Sequence, residues 1–469
     1  MLIRSLPVVT DFIEALSESL KTLKPSAELT RKQKLTLTLI LVGMLVTETL
    51  NWAAFERRSL NHAKAGRLRW LFGSAKIAWE SLLQASVRNI LSAYGIREGV
   101  LGIDDSAKQR SKSTTKIADV HKVKDKATGG YFNGQALVFL VLITDVATFP
   151  VGFRFYVPDP TLSAWRTQDK VLKRRGIPTQ QRPPRPQPDH VRYPTQHALA
   201  LELLREFVMA FPEITLKGVL ADALYGTGAF MDEAAAITGG AQIISQLRSN
   251  QQVASRNSRT SVTRYFTRQS GVETALLIRG GEAKPVTMLA ARLKVKAHGK
   301  RRFVVALKYD HESDYRYLVA SDLSWRHHDI AQLYSLRWLV EVFIQDWKTY
   351  GGWNKLAKQQ GADGSTRGVT LSLLCDHLLL QHPEQSSRLK NNQPGMPVGC
   401  LIERLKVETL VDTVRDVVAA NDPAAALEEL TAALQESLPT RASRKHMAGR
   451  DLGRQEPTTS LIYHATKAA

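Results

Sequence analysis

Cysteine is nearly absent: Cys375 and Cys400 are the only two in 469 residues. That number cannot build a disulfide framework or a cysteine-based zinc site, and it fits a reducing compartment. Long hydrophobic runs are missing too. The strongest, Leu35 to Val46, is far short of the roughly 20 residues that span a bilayer and reads as a buried helix. Asp11 and Glu14 stand where a signal peptide would be apolar, so secretion is not expected and a cytoplasmic location is. No Gly-x4-Gly-Lys-Ser/Thr loop points to ATP use and no Gly-x-Ser-x-Gly elbow to a serine hydrolase. His327 and His328 are adjacent, project in different directions and lack partners at zinc spacing.

Acidic charge is also in deficit. Against 64 Lys and Arg stand 44 Asp and Glu, a net +20, which calls for a polyanionic partner, nucleic acid being the commonest. Hydrophobic residues at 43% and charged residues at 23% are those of a folded globular chain of several domains. From Asp11 to about Tyr94 the apolar positions recur at helical spacing, with Gly95 as a stop. Short apolar runs follow: Val100 to Ile103, Ala136 to Thr144 and Phe149 to Val157 read as strands, Gln196 to Phe211 as a helix, and Lys217 to Ala221 as a fourth strand ending at Asp222. Between them Lys170 to His190 mixes Lys173, Arg174, Arg175, Arg182 and Arg185 with five prolines. This composition predicts an extended basic loop, either tracking a phosphate backbone or simply solvated. Ile243 to Ala320 alternates like strands, and helices return from Ile330 to a basic tail holding Arg441, Arg444, Lys445, Arg450 and Arg454.

The stretch from Tyr334 to Lys348 carries the most chemistry. Read as one helix, Tyr334, Arg337, Glu341 and Lys348 fall within an arc of about 60°, with Leu336, Leu339, Val340, Phe343 and Trp347 opposite. An ordinary solvated face with an Arg337/Glu341 ion pair is the plain alternative.

The spacing Tyr-x2-Arg-x3-Glu-x6-Lys resembles the signature of DDE transposases of the insertion-sequence-four-like branch. Upstream, Ile103-Asp104-Asp105-Ser106 resembles that family's Asp-Ser/Thr motif, and Asp222-Ala-Leu-Tyr225 its Asp-x-x-Tyr motif. The resemblance spans about Gly99 to Tyr350. It implies an α/β, ribonuclease-H-like core interrupted by a β-rich insertion and flanked by helical regions. The expected domains are a helical DNA-binding domain at 1–98, the first part of the core at 99–242 with the Pro-rich loop at 165–192, the insertion at 243–329, the second part of the core at 330–380, and a helical region with the basic tail at 381–469.

The resemblance further implies Asp105, Asp222 and Glu341 as catalytic carboxylates. Hard oxygen ligands of this kind suit two Mg²⁺ ions, with Mn²⁺ as a substitute, for in-line phosphoryl transfer. Asp105 directly precedes the hydroxyl residue and is the expected first ligand, with Asp104, which points to the opposite face, as the alternative. Tyr334, Arg337 and Lys348 are implied to hold DNA phosphates, and Arg248 stands where relatives carry a strand Arg that contacts a 5'-phosphate. Tyr317 stands where relatives place a base-stacking aromatic, though a core tyrosine explains it as well. The implied activity is cleavage at inverted-repeat ends of double-stranded DNA and transfer of 3'-hydroxyls to target DNA, by a homodimer assembled on DNA, without ATP or membrane. A nuclease without strand transfer, or an inactive DNA-binding regulator, are the alternatives.

Overall fold

The computed structural model describes residues 3–437, apart from 48–50, 60–62, 111–115, 126–127, 256–257, 279–280 and 352–360. The basic tail therefore lies outside the described residues. The chain forms two compact units, one drawn from Met1–Ile90 and Asp346–Ala469, the other from Leu91–Gln345.

The first unit is helical. Its N-terminal part comprises α1 (Pro7–Leu23), α2 (Arg31–Val46), α3 (Trp52–Arg58), α4 (Ala65–Ser74) and most of α5 (Trp79–Tyr94). Thr30 and Gln33 close a capping box at the start of α2, which fixes where the apolar run begins to wind. That helix is buried almost all round, including Leu37, Ile40 and Leu41, so the alternation of its leucines with threonines reflects a central helix rather than a strand. Leu371, Leu374 and Leu378 of α12 (Gly361–Leu380) share its hydrophobic core. So do Leu401 and Leu405 of α14 (Val398–Val418), which follows α13 (Pro383–Lys390) and precedes α15 (Pro423–Ser437). Residues 346–380, read from sequence as continuing the α/β core, thus belong with the N-terminal helices. No helix among the described residues is long and apolar enough to cross a membrane.

The second unit is mixed α/β and is built on one 12-stranded sheet. Its strands are β1 (Glu98–Gln109), β2 (His121–Lys124), β3 (Tyr131–Ile143), β4 (Thr148–Tyr156), β5 (Thr215–Ala221), β6 (Gln242–Leu247), β7 (Gln252–Ser255), β8 (Ser258–Ser261), β9 (Val272–Ile278), β10 (Glu282–Val295), β11 (Arg301–Tyr309) and β12 (Arg316–Ala320). The order is β2-β3-β1-β5-β6-β12-β11-β10-β7-β8, with β4 on β3 and β9 on β10. Antiparallel pairing joins β4, β3 and β1, whereas β1, β5 and β6 run parallel. The helices of this unit are α6 (Pro160–Arg174), α7 (Gln196–Ala210), α8 (Gly228–Ile237), α9 (Val262–Phe266), α10 (His327–Ser335) and the first part of α11 (Trp338–Tyr350).

Three local readings change. The strands of 243–329 do not stand apart, because β6 pairs with β5 of the core and β12 pairs with β6, so that they extend the same sheet. The basic segment is helical as far as Arg174: Asp159 caps α6 by accepting from the N–H groups of Thr161 and Leu162 at 2.9 and 3.1 Å, with Pro160 at the first helical position. Only the stretch after it is extended, interrupted by a short 3₁₀ turn at Thr179–Gln181. Finally, Tyr334 and Glu341 are not on one continuous helix. At Leu336 and Arg337 the backbone tightens, with Leu336 and Arg337 N–H donating to Leu333 and Tyr334 carbonyls at 3.1 and 3.0 Å, a three-residue spacing that ends α10 before α11 starts.

Candidate active site

Parallel pairing brings the first two acids together. Ile103 of β1 is in register with Ala221 of β5, so the next residues along, Asp104 and Asp222, come to equivalent positions on the same face, although β1 does not close there but runs on beside β3 to Gln109 while β5 ends at Ala221. Gly102, two residues before Asp104, shows which face this is: a Cβ there would sit 2.4 Å from Cγ2 of Val340 on α11. Glu341, the next residue of α11, comes to the same side. The guanidinium of Arg337 bridges the cluster, with Nη1 3.3 Å from Asp104 Oδ2 and Nη2 donating to Glu341. Its Nε is buried and has no acceptor among the described residues.

Burial pushes the Asp104 carboxyl above the ordinary carboxylate range, and the nearby Asp222 and Glu341 charges push the same way. The Asp105 N–H, which donates to Asp104 Oδ1 at 2.7 Å, and Arg337 oppose the rise. For Arg337 burial disfavours the charge, but Tyr334, Glu341 and Asp104 together hold it above the usual value.

Asp105, the expected first ligand, faces the other way. Its Oδ1 accepts from the Tyr225 hydroxyl and its Oδ2 from Gln196 Nε2, each at 2.7 Å. The physical reason is strand alternation: the single-residue difference between Asp104 and Asp105 selects the face. Burial first, and then the Asp105 charge, raise the Tyr225 hydroxyl well above its ordinary value, so it stays a donor. Gln196, at the start of α7, was not legible as a site residue, whereas Tyr225 was visible only as a motif position.

The other expected residues are spread more widely. Tyr334 is buried rather than on an exposed stripe; burial raises its hydroxyl, which donates to the Ala221 carbonyl at 3.3 Å beneath the Arg337 guanidinium. Arg248 is exposed and lies one residue beyond β6, in a turn rather than on the strand. Lys348 falls in the helical unit. Tyr317 is buried on β12 with its ring stacked on Phe266 at 6.0 Å, the core role.

Beside Glu341 and Arg337 opens a cleft of about 770 Å³, lined also by Lys284, Tyr309, His311 and Arg316. Tyr309 stacks on His311 at 6.0 Å and carries the Arg316 guanidinium at 5.9 Å. The loop after Asp222 and the helix that follows it are held from the β10–β11 side: His298 Nε2, in the turn between those strands, contacts the Gly226 carbonyl at 3.0 Å, and the buried Arg302 of β11 donates to Asp232 of α8 at 2.5 Å.

Among the described residues no three His, Cys, Asp or Glu side chains stand close enough to enclose a metal ion. The donor chemistry nonetheless fits a hard divalent cation, because Asp104, Asp222 and Glu341 share one face with carboxylate oxygens only, and the cluster already holds a cation in Arg337.

No curated protein matches the chain. The family model for DDE superfamily endonucleases matches residues 26–304. That span carries Asp104, Asp105 and Asp222 and ends before α10. The chain belongs to the DDE superfamily endonucleases.

Proposed function

We propose that the protein is a DNA transposase of the insertion-sequence-four-like branch, cleaving at the ends of its own element and transferring 3'-hydroxyls to target DNA. What supports this most is the convergence of Asp104, Asp222 and Glu341 on one face of a strand order, β4-β3-β1-β5-β6, expected of a ribonuclease-H-like core. In this reading Asp104 replaces Asp105 as the first ligand. Asp104, Asp222 and Glu341 would hold Mg²⁺ or Mn²⁺, in the two-ion arrangement the resemblance implies. Such ions activate the attacking hydroxyl and relieve charge at the leaving oxygen.

The protein's own side chains do the rest. Asp105, held by Tyr225 and Gln196, ties the middle of β1 to the loop after β5 and to α7, and Tyr334 holds the end of β5. Arg337 would offer its fork to a DNA phosphate, two of whose oxygens can accept parallel N–H groups from the guanidinium. Lys348 and Arg248 add phosphate contacts, and the helical N-terminal region recognises the end sequence. The cleft with Lys284, Arg316, Tyr309 and His311 combines positive charge with aromatic surface, as strand-binding grooves do. Two copies assemble on paired DNA ends.

The test is incubation of wild type and Glu341→Ala with Mg²⁺ and labelled DNA carrying the sequences that flank the gene, followed by mapping of breaks at single-nucleotide resolution. Breaks at the element boundary with joined products, from wild type alone, are expected. Breaks without joining would leave a nuclease, and binding without cutting in either metal would leave a regulator.

A further inference from the structure

Between β4 and α7 the chain leaves the sheet for residues 157–195, a segment with eight Lys and Arg against three Asp and no Glu. All three acids are engaged inside it. Asp159 caps α6 and accepts from the Asp189 N–H at 3.1 Å, Asp189 accepts from the Arg192 N–H at 2.9 Å, and Asp169 accepts from Arg182 at 2.8 Å. With the Trp165 indole donating to the Pro183 carbonyl at 2.8 Å, these bonds tie the extended, proline-rich stretch back along α6. The excess cations face water. Arg166, Lys170, Lys173 and Arg174 are exposed, and among the described residues no carboxylate pairs with them. On a helix they lie within an arc of about 100° and along about 12 Å. The helix dipole gives a reason for the two in the last turn but none for Arg166 and Lys170. Arg185 and Arg192 are exposed on the extended stretch.

The strand register places this segment beside the carboxylates. Tyr156, the last residue of β4, pairs with Ala136 of β3, and Ala136 pairs with Ala107 of β1. The segment therefore departs from the end of the sheet where Asp104 stands, roughly 10 Å further along the strands and two strands, roughly 10 Å, to the side. It returns at Gln196, which donates to Asp105.

The surface chemistry indicates the occupant. Cations in a row fit the phosphates of a polyanion. A single strand would need exposed rings on which to stack its bases. The two large rings of the segment are half-buried, Trp165 bonded to the Pro183 carbonyl and Tyr193 beneath Arg192. Lys and Arg contacts to phosphate position a duplex without reading its sequence. We infer that α6 and the stretch after it dock the backbone of a DNA duplex of no fixed sequence. Under the transposase reading, on which this identification rests, that duplex is the target DNA.

The experiment is fluorescence anisotropy on the full chain, without divalent metal so that nothing is cut, with a labelled duplex of arbitrary sequence between about 50 and 200 mM salt. Log affinity of the wild type should fall linearly with log salt. Arg166→Ala/Lys170→Ala/Lys173→Ala should bind about tenfold or more weakly at the lowest salt and lose roughly 2–3 from the slope, about 0.9 per phosphate contact. Arg166→Lys/Lys170→Arg/Lys173→Arg should keep the wild-type slope, which separates lost charge from lost folding. Removing three exposed cations at the far edge of the sheet, Arg259→Ala/Arg264→Ala/Arg268→Ala, should change the slope by less than about 1. An unchanged slope in the first variant overturns the inference, as does an equal loss in the far-edge variant.

A second duplex carrying the element's end, bound in excess arbitrary DNA, separates target from end. On it the first variant should keep wild-type affinity within about twofold. An equal loss on both duplexes overturns the assignment to target DNA. Neither titration involves cutting, so a wild type that never cleaves or never prefers the end counts against the transposase reading, while the arbitrary-duplex titration alone decides the docking surface.

Discussion

On one face of β1 Asp104 meets Asp222, Glu341 and Arg337, and on the other Asp105 meets Tyr225 and Gln196. The two aspartates are neighbours in sequence and identical in chemistry. The first is surrounded by like charges and one bridging cation, an arrangement that stays unfavourable until more positive charge arrives. The second is satisfied in place by neutral donors. In the proposed reading the contrast separates a carboxylate that would hold exchangeable cations from one that would hold the strand, and it rests on strand alternation.

The sharpest way to break this comparison is to neutralise each acid in turn. Asp104→Asn should reduce DNA cleavage as far as Glu341→Ala does, on the order of 10³-fold or more, since metal-ion catalysis contributes several kcal/mol. Asp105→Asn should keep measurable cleavage and lose stability instead, about 1–3 kcal/mol, because the charge that accepts from Tyr225 and Gln196 disappears and one accepting oxygen becomes an NH2 group that cannot accept. Single-turnover cleavage and urea titration of the same preparations separate the two. If Asp105→Asn is the dead variant and Asp104→Asn is active, the assignment of faces is wrong.

Next in size is a test of the contact that carries Glu341. Adding a methyl at Gly102 places it 2.4 Å from Val340, a branched side chain with no free rotor to yield, so α11 must shift from β1. Gly102→Ala should cost about 1–3 kcal/mol and lower cleavage by moving Glu341. Gly102→Ala/Val340→Ala should recover much of the activity. A cleavage rate unchanged in the single variant would mean that the helix is not set by this contact.

On the Asp105 face the expected effect is smaller. Tyr225→Phe removes one hydroxyl that donates to a part-buried carboxylate at 2.7 Å and should cost about 1–2 kcal/mol of stability in thermal or urea unfolding, with cleavage reduced in proportion to the loosening of β1. Loss of cleavage at unchanged stability would instead place Tyr225 in the chemistry.

Which parts of this were legible beforehand follows from what each depends on. Asp222 closes a strand and is followed by Tyr225, and Glu341 stands at a fixed spacing from Tyr334, Arg337 and Lys348, so the resemblance could single out both as candidate ligands. The choice between Asp104 and Asp105 rests on the register of β1 against β5, Ile103 with Ala221, and register between distant segments leaves no local trace. The break between α10 and α11 escaped because one tightened turn hardly disturbs the apolar period on either side of it. Helix α6 could have been found: Asp159-Pro160 is a start signal, but the basic, proline-rich stretch after it outweighed that signal. The membership of α12 in the helical unit depends on packing between segments more than 300 residues apart, such as Cys375 with Met44 at 4.0 Å, which periodicity does not carry.

An acid in the helical unit extends the comparison to a group outside the carboxylate cluster, where the effect is on stability and none is expected on cleavage. Burial pushes Asp376 up to about 7, and the neighbouring Asp346, itself raised by burial, adds to the rise. Its Oδ2 is buried with no hydrogen-bond partner among the described residues, whereas Asp104 has Arg337. A carboxyl raised in the folded state binds its proton more tightly there than in the unfolded chain. Its contribution to stability is therefore fully present below the unfolded value of 3.8 and is lost as pH climbs to about 7. Asp376→Asn removes that slope. The variant should match wild type near pH 4 and exceed it at pH 8, with unfolding midpoints diverging across the interval between. Parallel profiles for the two proteins would mean that Asp376 finds a cation or water in the folded state and would place it closer in kind to Asp104 than its surroundings indicate.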